Sequence, residues 1–410
     1  MRANSFIMKY LRHVTPSVVL IFFTVLAMFF ANMPVLKDWY FRLWQFPLSV
    51  SFGGFNFFSH NGNPLTLGEF VNDFLMAIFF LAVGLEIKRE ILIGELSTRE
   101  KAMLPIIGAC GGMLVPVLIF LFICPSDAVM QRGTAIPMAT DIAFSLGILA
   151  IFSDRAPAGL KIFLAALAVA DDLGGILVIA IFYSSDINFT YLLLSALCLV
   201  IMIAANYFNC RRKSFYVILG LALWYMMLNS GIHATIAGVL TAFCIPAFFG
   251  NSVSETDKTA GPLQFLEYYL RFPINYIIVP LFAFVNAGID FSQMSIGGMF
   301  TGVGLAVMLG LVIGKFLGVF SFCWASVRLK IVTLPDKATW SSFASVCVIC
   351  GIGFTVSLFI ADLSYSGFGL AGDALLSQAK LGVISGSIVS TVLGIFLLDK
   401  TLPKTSKKEA

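Results

Sequence analysis

Four ionisable residues fall inside runs of sequence that are otherwise strongly apolar. Asp171 and Asp172 are adjacent in ALAVADDLGGILVIAIF (166–182), Asp141 lies in GTAIPMATDIAFSLG, and Lys315 lies in LGLVIGKFLGVFSF. An Asp or Lys at the centre of a membrane helix costs roughly 2.5–3.5 kcal/mol on insertion scales, so the four together cost on the order of 12 kcal/mol before any pairing. Groups held at such depth face a cavity or one another and mark ion pathways. Neighbouring residues on an α-helix point about 100° apart, so Asp171 and Asp172 cannot share contacts. One can meet a partner helix while the other meets a cavity. Lys315 is the one cation at comparable depth, so at least one carboxylate must be matched by a proton or a mobile cation. A salt bridge from Lys315 to one of the pair, opened when a cation arrives, is the expected arrangement.

The ligand chemistry available is carboxylate and hydroxyl oxygen, with Thr140 beside Asp141 and no cluster of His or Cys. Hard oxygen donors suit hard cations rather than zinc or copper, and desolvated or closely spaced carboxylates also take protons. A site that holds either a cation or protons, but not both, couples their movements by competition. That chemistry is cation/proton exchange and forms no covalent intermediate. No P-loop or other nucleotide motif and no Ser/His/Asp set for hydrolysis is present, so the driving energy is expected from an ion gradient. No cofactor and no nucleic-acid partner is expected. Cys347 and Cys350 form a CxxC in an apolar run without a second pair, which reads as packing rather than a metal or redox centre.

The elements that must position these groups are membrane helices. The chain has 410 residues, 59% hydrophobic and 12% charged, with a mean hydropathy of +0.95, against about 45–50% and about 25% in soluble domains. The basic start MRANSFIMKYLRHV leads into an apolar run that reads as an uncleaved first span. With about 20 apolar residues needed per crossing, twelve spans are predicted: 16–33, 68–87, 102–123, 134–152, 158–183, 191–208, 215–229, 232–249, 273–289, 298–326, 339–362 and 379–398. Residues 1–400 then form one membrane domain, and 401–410 a short basic tail. Of the 26 lysines and arginines, Lys37, Arg42, Arg132 and Lys380 fall on one side, Lys315 lies within a span, and the rest fall on the other side. This asymmetry predicts both termini on the cytoplasmic side.

Two of the predicted spans carry interruptions. In the fourth, Pro137 followed by Ala139-Thr140-Asp141 suits the end of one helix and the capping of another, although a Pro-kinked helix with Asp141 as a simple cap fits the same residues. In the eleventh, Gly351 and Gly353 interrupt VICGIGFTVSLF. Each is the middle member of a triplet, spans 3–5 and 10–12, and the triplets cross the bilayer in opposite senses. Matched broken helices in antiparallel triplets predict inverted repeats with the site at mid-membrane, between the breaks. The stretch LSVSFGGFNFF (48–58) alternates apolar and polar residues around Gly53-Gly54, as a β-hairpin on the outer side would, able to dock or to pair with a second copy.

Taken in order, IPMATDIAFSLG, KIFLAALAVADDLGGILVIAIFY, SGIHATIAGV, PLFAFVNAGI and IGKFLG resemble the NhaA family of sodium/proton antiporters, over essentially the whole membrane domain. The resemblance implies a multi-pass protein of the bacterial inner membrane that exports sodium or lithium against a larger number of protons, electrogenically, and is activated at alkaline pH. It implies Asp172 as the principal cation ligand and Asp171 as the partner that alternates between cation or proton and Lys315. It places Thr140 and Asp141 at the crossing of the broken helices, with Asp141 and Lys315 balancing opposite helix ends. It further implies a pH-responsive set of Glu86, Lys88, Arg89 and Glu90 in GLEIKRE, joined by Glu267, with His233 of the HAT motif, and a homodimer formed through the outer hairpin. A sodium-coupled symporter of a small organic anion is the alternative, and it would need a further polar pocket beside the ion site.

Overall fold

The structure is a computed structural model and describes residues 15–403 apart from 50, 53–54, 57, 61–62, 126, 184–186, 248–260, 292–301 and 367. The basic N-terminal stretch, the Gly53-Gly54 turn, Lys258 and residues 404–410 of the expected tail therefore lie outside the described residues. The described residues are predominantly helical. In order come α1 (Pro16–Asn32), α2 (Pro34–Trp44), α3 (Leu67–Leu92), α4 (Arg99–Ile123), α5 (Ala128–Gln131, continued by a 3-10 helix Arg132–Met138), α6 (Ile142–Ile151), α7 (Ala158–Phe182), α8 (Phe189–Tyr207) and α9 (Lys213–Leu228). They are followed by α10 (Ile236–Cys244), α11 (Pro262–Asn286), α12 (Gly302–Arg328), α13 (Trp340–Ile349), α14 (Phe354–Tyr365) and α15 (Gly369–Thr401).

Among the described residues, eight helical segments are long and apolar enough to cross a bilayer, and up to ten if each of two bent pairs counts as one. The twelve predicted spans are thus not all met by length and hydropathy. The seventh and eighth correspond to α9 and α10, of 16 and 9 residues, each short of the length a crossing needs. The last span begins at Gly369 rather than 379, because Asp373 and Lys380 are carried within one 33-residue helix. The eleventh is broken as expected, α13 and α14 being bent by 43°. The fourth is interrupted at 139–141 without a sharp bend. Of the hairpin expected over 48–58, the described residues show antiparallel pairs Ser51↔Asn56 and Phe52↔Phe55, and a second two-residue ladder follows, Ser59–His60 with Asn63–Pro64.

Helix starts follow the sequence locally. Thr66 caps α3 in a capping box with Glu69, Thr339 caps α13 with Ser342, and Pro34 occupies the first turn of α2 where its missing N–H leaves nothing unpaired. Among the described residues, three helices contain a single π-helical turn: Val71–Leu75 in α3, Ile274–Ile278 in α11 and Gly310–Gly314 in α12. The last of these ends at Lys315, and such turns gather at functional positions.

The chain forms two compact units. The first comprises Met1–Val18, Glu90–Gly175 and Ile289–Ala410. Within it α4 and α12 approach through glycine: a Cβ on Gly111 would overlap the carbonyl of Gly318, and one on Gly318 the carbonyl of Gly111. Small residues permit this close backbone approach in membrane helix pairs. Its core runs through Leu160, Leu164, Leu167, Val319, Phe343 and Val346, and Cys347 and Cys350 are buried there as free thiols. The second unit comprises Val19–Arg89 and Ile176–Gly288, with a core around Leu85, Trp224, Leu228, Ala237 and Leu263.

Candidate functional site

The two interruptions meet in the first unit. Thr140 Oγ1 donates to the Cys350 carbonyl at 2.9 Å, and the Asp141 N–H donates to the Ile352 carbonyl at 2.6 Å. Ser357 Oγ, one turn into α14, donates to the Ile136 carbonyl at 2.7 Å. Breaking a helix at membrane depth frees backbone groups that must find partners in protein or in a water-lined space. Here each interruption supplies partners for the other.

Asp141 sits where two helices begin. Its Oδ1 accepts from the N–H groups of Ala143 and Phe144, both at 3.1 Å, as the N-cap of α6. Its Oδ2 accepts from the N–H of Thr355 at 3.0 Å and from the Thr355 hydroxyl at 2.6 Å, in the first turn of α14. One carboxylate therefore receives the exposed N–H groups, and the positive dipole ends, of both helices. Sequence reasoning found Asp141 but missed Thr355. The readable signal is its place two residues after Gly353, at a helix start, yet a search for charge passes over a neutral hydroxyl.

Asp171 and Asp172 lie on α7, both buried, at 1% and 6% exposure. The Lys315 ammonium, fully buried on α12, donates to Asp171 Oδ2 and forms an ion pair with it. Such a pair forfeits hydration of both charges, so breaking it without a replacement is strongly unfavourable. Thr140 lies beside the same carboxylate, but its hydroxyl is committed to Cys350, and Asp171 Oδ1 has no hydrogen bond of ordinary geometry.

The faces of α7 on which the two carboxylates sit differ in their surroundings. Residues three apart on a helix share a face, and Gly174, three beyond Asp171, packs on the thioether of Met113 in α4. Gly175, three beyond Asp172, is buried, yet nothing lies within 4 Å of where its Cβ would be. Among the described residues, α7 is thus filled by Met113 at Gly174 and left unfilled at Gly175.

The arrangement sets carboxylate and hydroxyl oxygens around a buried ammonium. Residues 9–398 match the family model described as Na+/H+ antiporter 1. The chain belongs to the Na+/H+ antiporter 1 family. Within that family it is 45% identical to a protein named Na(+)/H(+) antiporter NhaA from Phocaeicola vulgatus, over 97% of this chain and 96% of that protein. It is 46% identical to the same-named protein of Bacteroides fragilis, over 96% and 97%, and 43% identical to that of Proteus mirabilis, over 96% of each. Among solved structures it is similar to the sodium proton antiporter MjNhaP1 from Methanocaldococcus jannaschii, at 16% identity and a TM-score of 0.46, over 82% of this chain and 86% of that one. Membership places the chain in a family of membrane transporters rather than one of catalytic enzymes.

The residues read as pH-responsive lie about α3, α10 and α11. In the second unit, Arg89 Nε donates to Glu267 Oε1 at 2.9 Å across α3 and α11. Lys88 instead closes the end of α10, its ammonium donating to the carbonyls of Phe243 at 2.7 Å and Ile245 at 2.5 Å. Glu86 lies in the same helical stretch. His233 occupies the turn before α10, its carbonyl accepting from the Ile236 N–H at 3.2 Å. Glu90 belongs to the first unit and turns back on its own chain, accepting from the Glu95 N–H at 2.9 Å.

Proposed function

We propose that this protein exchanges sodium for protons, with the Asp171–Asp172 pair as the shared binding site. The observation that carries the reading is the buried ion pair of Lys315 with Asp171, next to a second buried carboxylate, Asp172, on the neighbouring face of α7. In this reading Asp172 receives the dehydrated cation first. Asp171 joins it by giving up Lys315, whose ammonium then releases a proton or moves to the carbonyl ends about the interruptions. Protonation of the carboxylates reverses the sequence, so sodium and protons occupy the site in alternation. Thr140 supplies a further hydroxyl oxygen at the edge of the site, and Asp141 holds the two helix starts in register and can contribute only if one of its four donors lets go.

Lithium, a smaller hard cation, fits the same donors. Export of one cation against a larger number of protons makes the cycle electrogenic. The Arg89–Glu267 pair, with Glu86, Lys88, Glu90 and His233, is assigned to activation at alkaline pH. The protein is placed in the bacterial inner membrane with both termini cytoplasmic, and its hairpin over 48–58 is assigned to a homodimer contact. A symporter of an organic anion is disfavoured, since the hydroxyls of Thr140, Ser145 and Ser357 around the interruptions all donate to backbone carbonyls.

The test uses the purified chain in proteoliposomes with an imposed pH gradient. Sodium and lithium should each collapse the gradient and potassium should not, and a potassium–valinomycin shunt should speed the response. Absence of any sodium-driven proton movement at alkaline pH would overturn the assignment.

A further inference from the structure

The short helix α2 is amphipathic, and among the described residues one of its faces is largely exposed. It follows α1 after a bend of 110° at Met33. A helix set at that angle to a membrane-crossing segment runs close to the plane of the bilayer. Its inner side is fixed by Tyr40, which is buried and whose hydroxyl donates to the carbonyls of Phe284 at 2.5 Å and Val285 at 3.2 Å, in the last turn of α11. Those are among the carbonyls a helix end leaves without intrahelical partners. The opposite side presents Val35, 81% exposed, and Trp39, 54% exposed, followed by Arg42 and then Phe46 past the end of the helix.

Two observations say what covers that side. First, the exposed apolar stripe of α1, through Phe22, Val25, Phe29 and Met33, continues round the bend into Val35 and Trp39. On a membrane-crossing α1 an apolar stripe of that kind is the side that lipid covers. Second, the Trp39 ring packs against Phe30 of α1, their centroids 6.2 Å apart. Trp39 therefore sits in the crook between the two helices, on the side from which α1 descends, and not on the side facing away from the bilayer.

We propose that α2 is a membrane-surface helix, with Val35 and Trp39 set into the boundary between headgroups and acyl chains and Arg42 at the level of the lipid phosphates. The occupant of the face is the lipid bilayer itself. Tryptophan is favoured at that depth because its ring is apolar while its N–H stays within reach of polar groups, and helices lying in the interface combine such residues with a basic edge. Through Tyr40 the same helix is tied to the end of α11, so the depth at which α2 rests on lipid sets the depth of that end as well.

Fluorescence quenching in reconstituted bilayers tests the placement. The Trp39 signal is obtained as the difference between the unaltered protein and Trp39→Phe, and independently from a chain in which the other four of its five tryptophans are replaced by phenylalanine. Phosphatidylcholine brominated close to the glycerol backbone should remove most of the Trp39 emission. Phosphatidylcholine brominated near the chain terminus should remove much less, and aqueous iodide little. Quenching by iodide and not by brominated lipid would show a face turned to water. Protection from both would show a face covered by another protein chain, and stronger quenching by the deep bromines a buried position. Each of those three results overturns the proposal.

Discussion

Thr355 donates twice to one carboxylate oxygen of Asp141, from its N–H at 3.0 Å and its hydroxyl at 2.6 Å, while the other oxygen caps α6. This joint makes a single anion common to both interruptions. It also separates the roles of the acidic residues: Asp141 spends its acceptor capacity on two helix starts, whereas Asp171 holds a cation in Lys315 and keeps one oxygen without an ordinary hydrogen bond.

Thr355→Val should loosen the joint while keeping its volume. A hydrogen bond to a charged group is worth about 1.5–3 kcal/mol, so apparent sodium affinity or maximal exchange should fall by about tenfold or more. Thr355→Ser keeps the hydroxyl and should restore most of the loss. Sodium-driven proton flux in proteoliposomes, compared for the three chains, checks this. Normal exchange in Thr355→Val with a loss in Thr355→Ser would point to the methyl group's packing instead.

The Lys315–Asp171 pair gives a stability prediction. Lys315→Leu leaves Asp171 buried beside no cation and should cost about 3–5 kcal/mol, because one partner of a buried pair is removed. Adding Asp171→Asn removes the orphaned charge and should recover most of the melting temperature while leaving exchange abolished. Thermal unfolding in detergent, read beside transport, separates the two effects. A double variant no more stable than Lys315→Leu would show that the pair is not the origin of the loss.

How much of this was legible beforehand depends on the residue type. Asp141, Asp171, Asp172 and Lys315 stood out because charge is costly in an apolar run, and the structure brings all four into one unit. The interruption at Gly351 and Gly353 was readable from glycine alone, and that at Thr140 and Asp141 from Pro137 and the capping residues. Neutral partners were not readable: Thr355 and Ser357 resemble any hydroxyls in a membrane helix until the crossing brings Asp141 and Ile136 to them. The π-helical turn before Lys315 has no sequence signal, since it depends on how α12 packs. Lys88 of the GLEIKRE motif also closes α10 through two carbonyls, a contact fixed by tertiary placement that the motif does not announce.

Lys88 and the Arg89–Glu267 pair should respond differently to substitution. Lys88→Met strips two carbonyls of their donor and should destabilise by about 1.5–3 kcal/mol, as loss of charged hydrogen bonds does. Glu267→Gln breaks an ion pair about a third exposed on the Arg89 side, which solvent screens to about 0–1 kcal/mol. The melting temperature of Glu267→Gln should therefore stay near that of the unaltered protein while the pH at half-activation moves. Unchanged pH dependence in Glu267→Gln would remove the pair from the pH response.

In the proposed exchange, competition between sodium and protons at Asp172 sets the sign of the pH dependence. A carboxylate binds sodium only when deprotonated, so protons raise the sodium concentration needed for half-maximal exchange. In the range where one proton must leave for each sodium bound, that concentration should fall by about tenfold for each unit rise in pH, and by more where two must leave, following the linkage of proton release to binding. At saturating sodium the dependence should flatten. Asp172→Asn should abolish sodium-driven flux at every pH while the protein still inserts and melts cooperatively, since Lys315 remains paired with Asp171. Initial rates measured across a sodium series at several pH values test both statements. A half-maximal sodium concentration independent of pH, or normal exchange by Asp172→Asn, would show that cation and proton do not share this carboxylate.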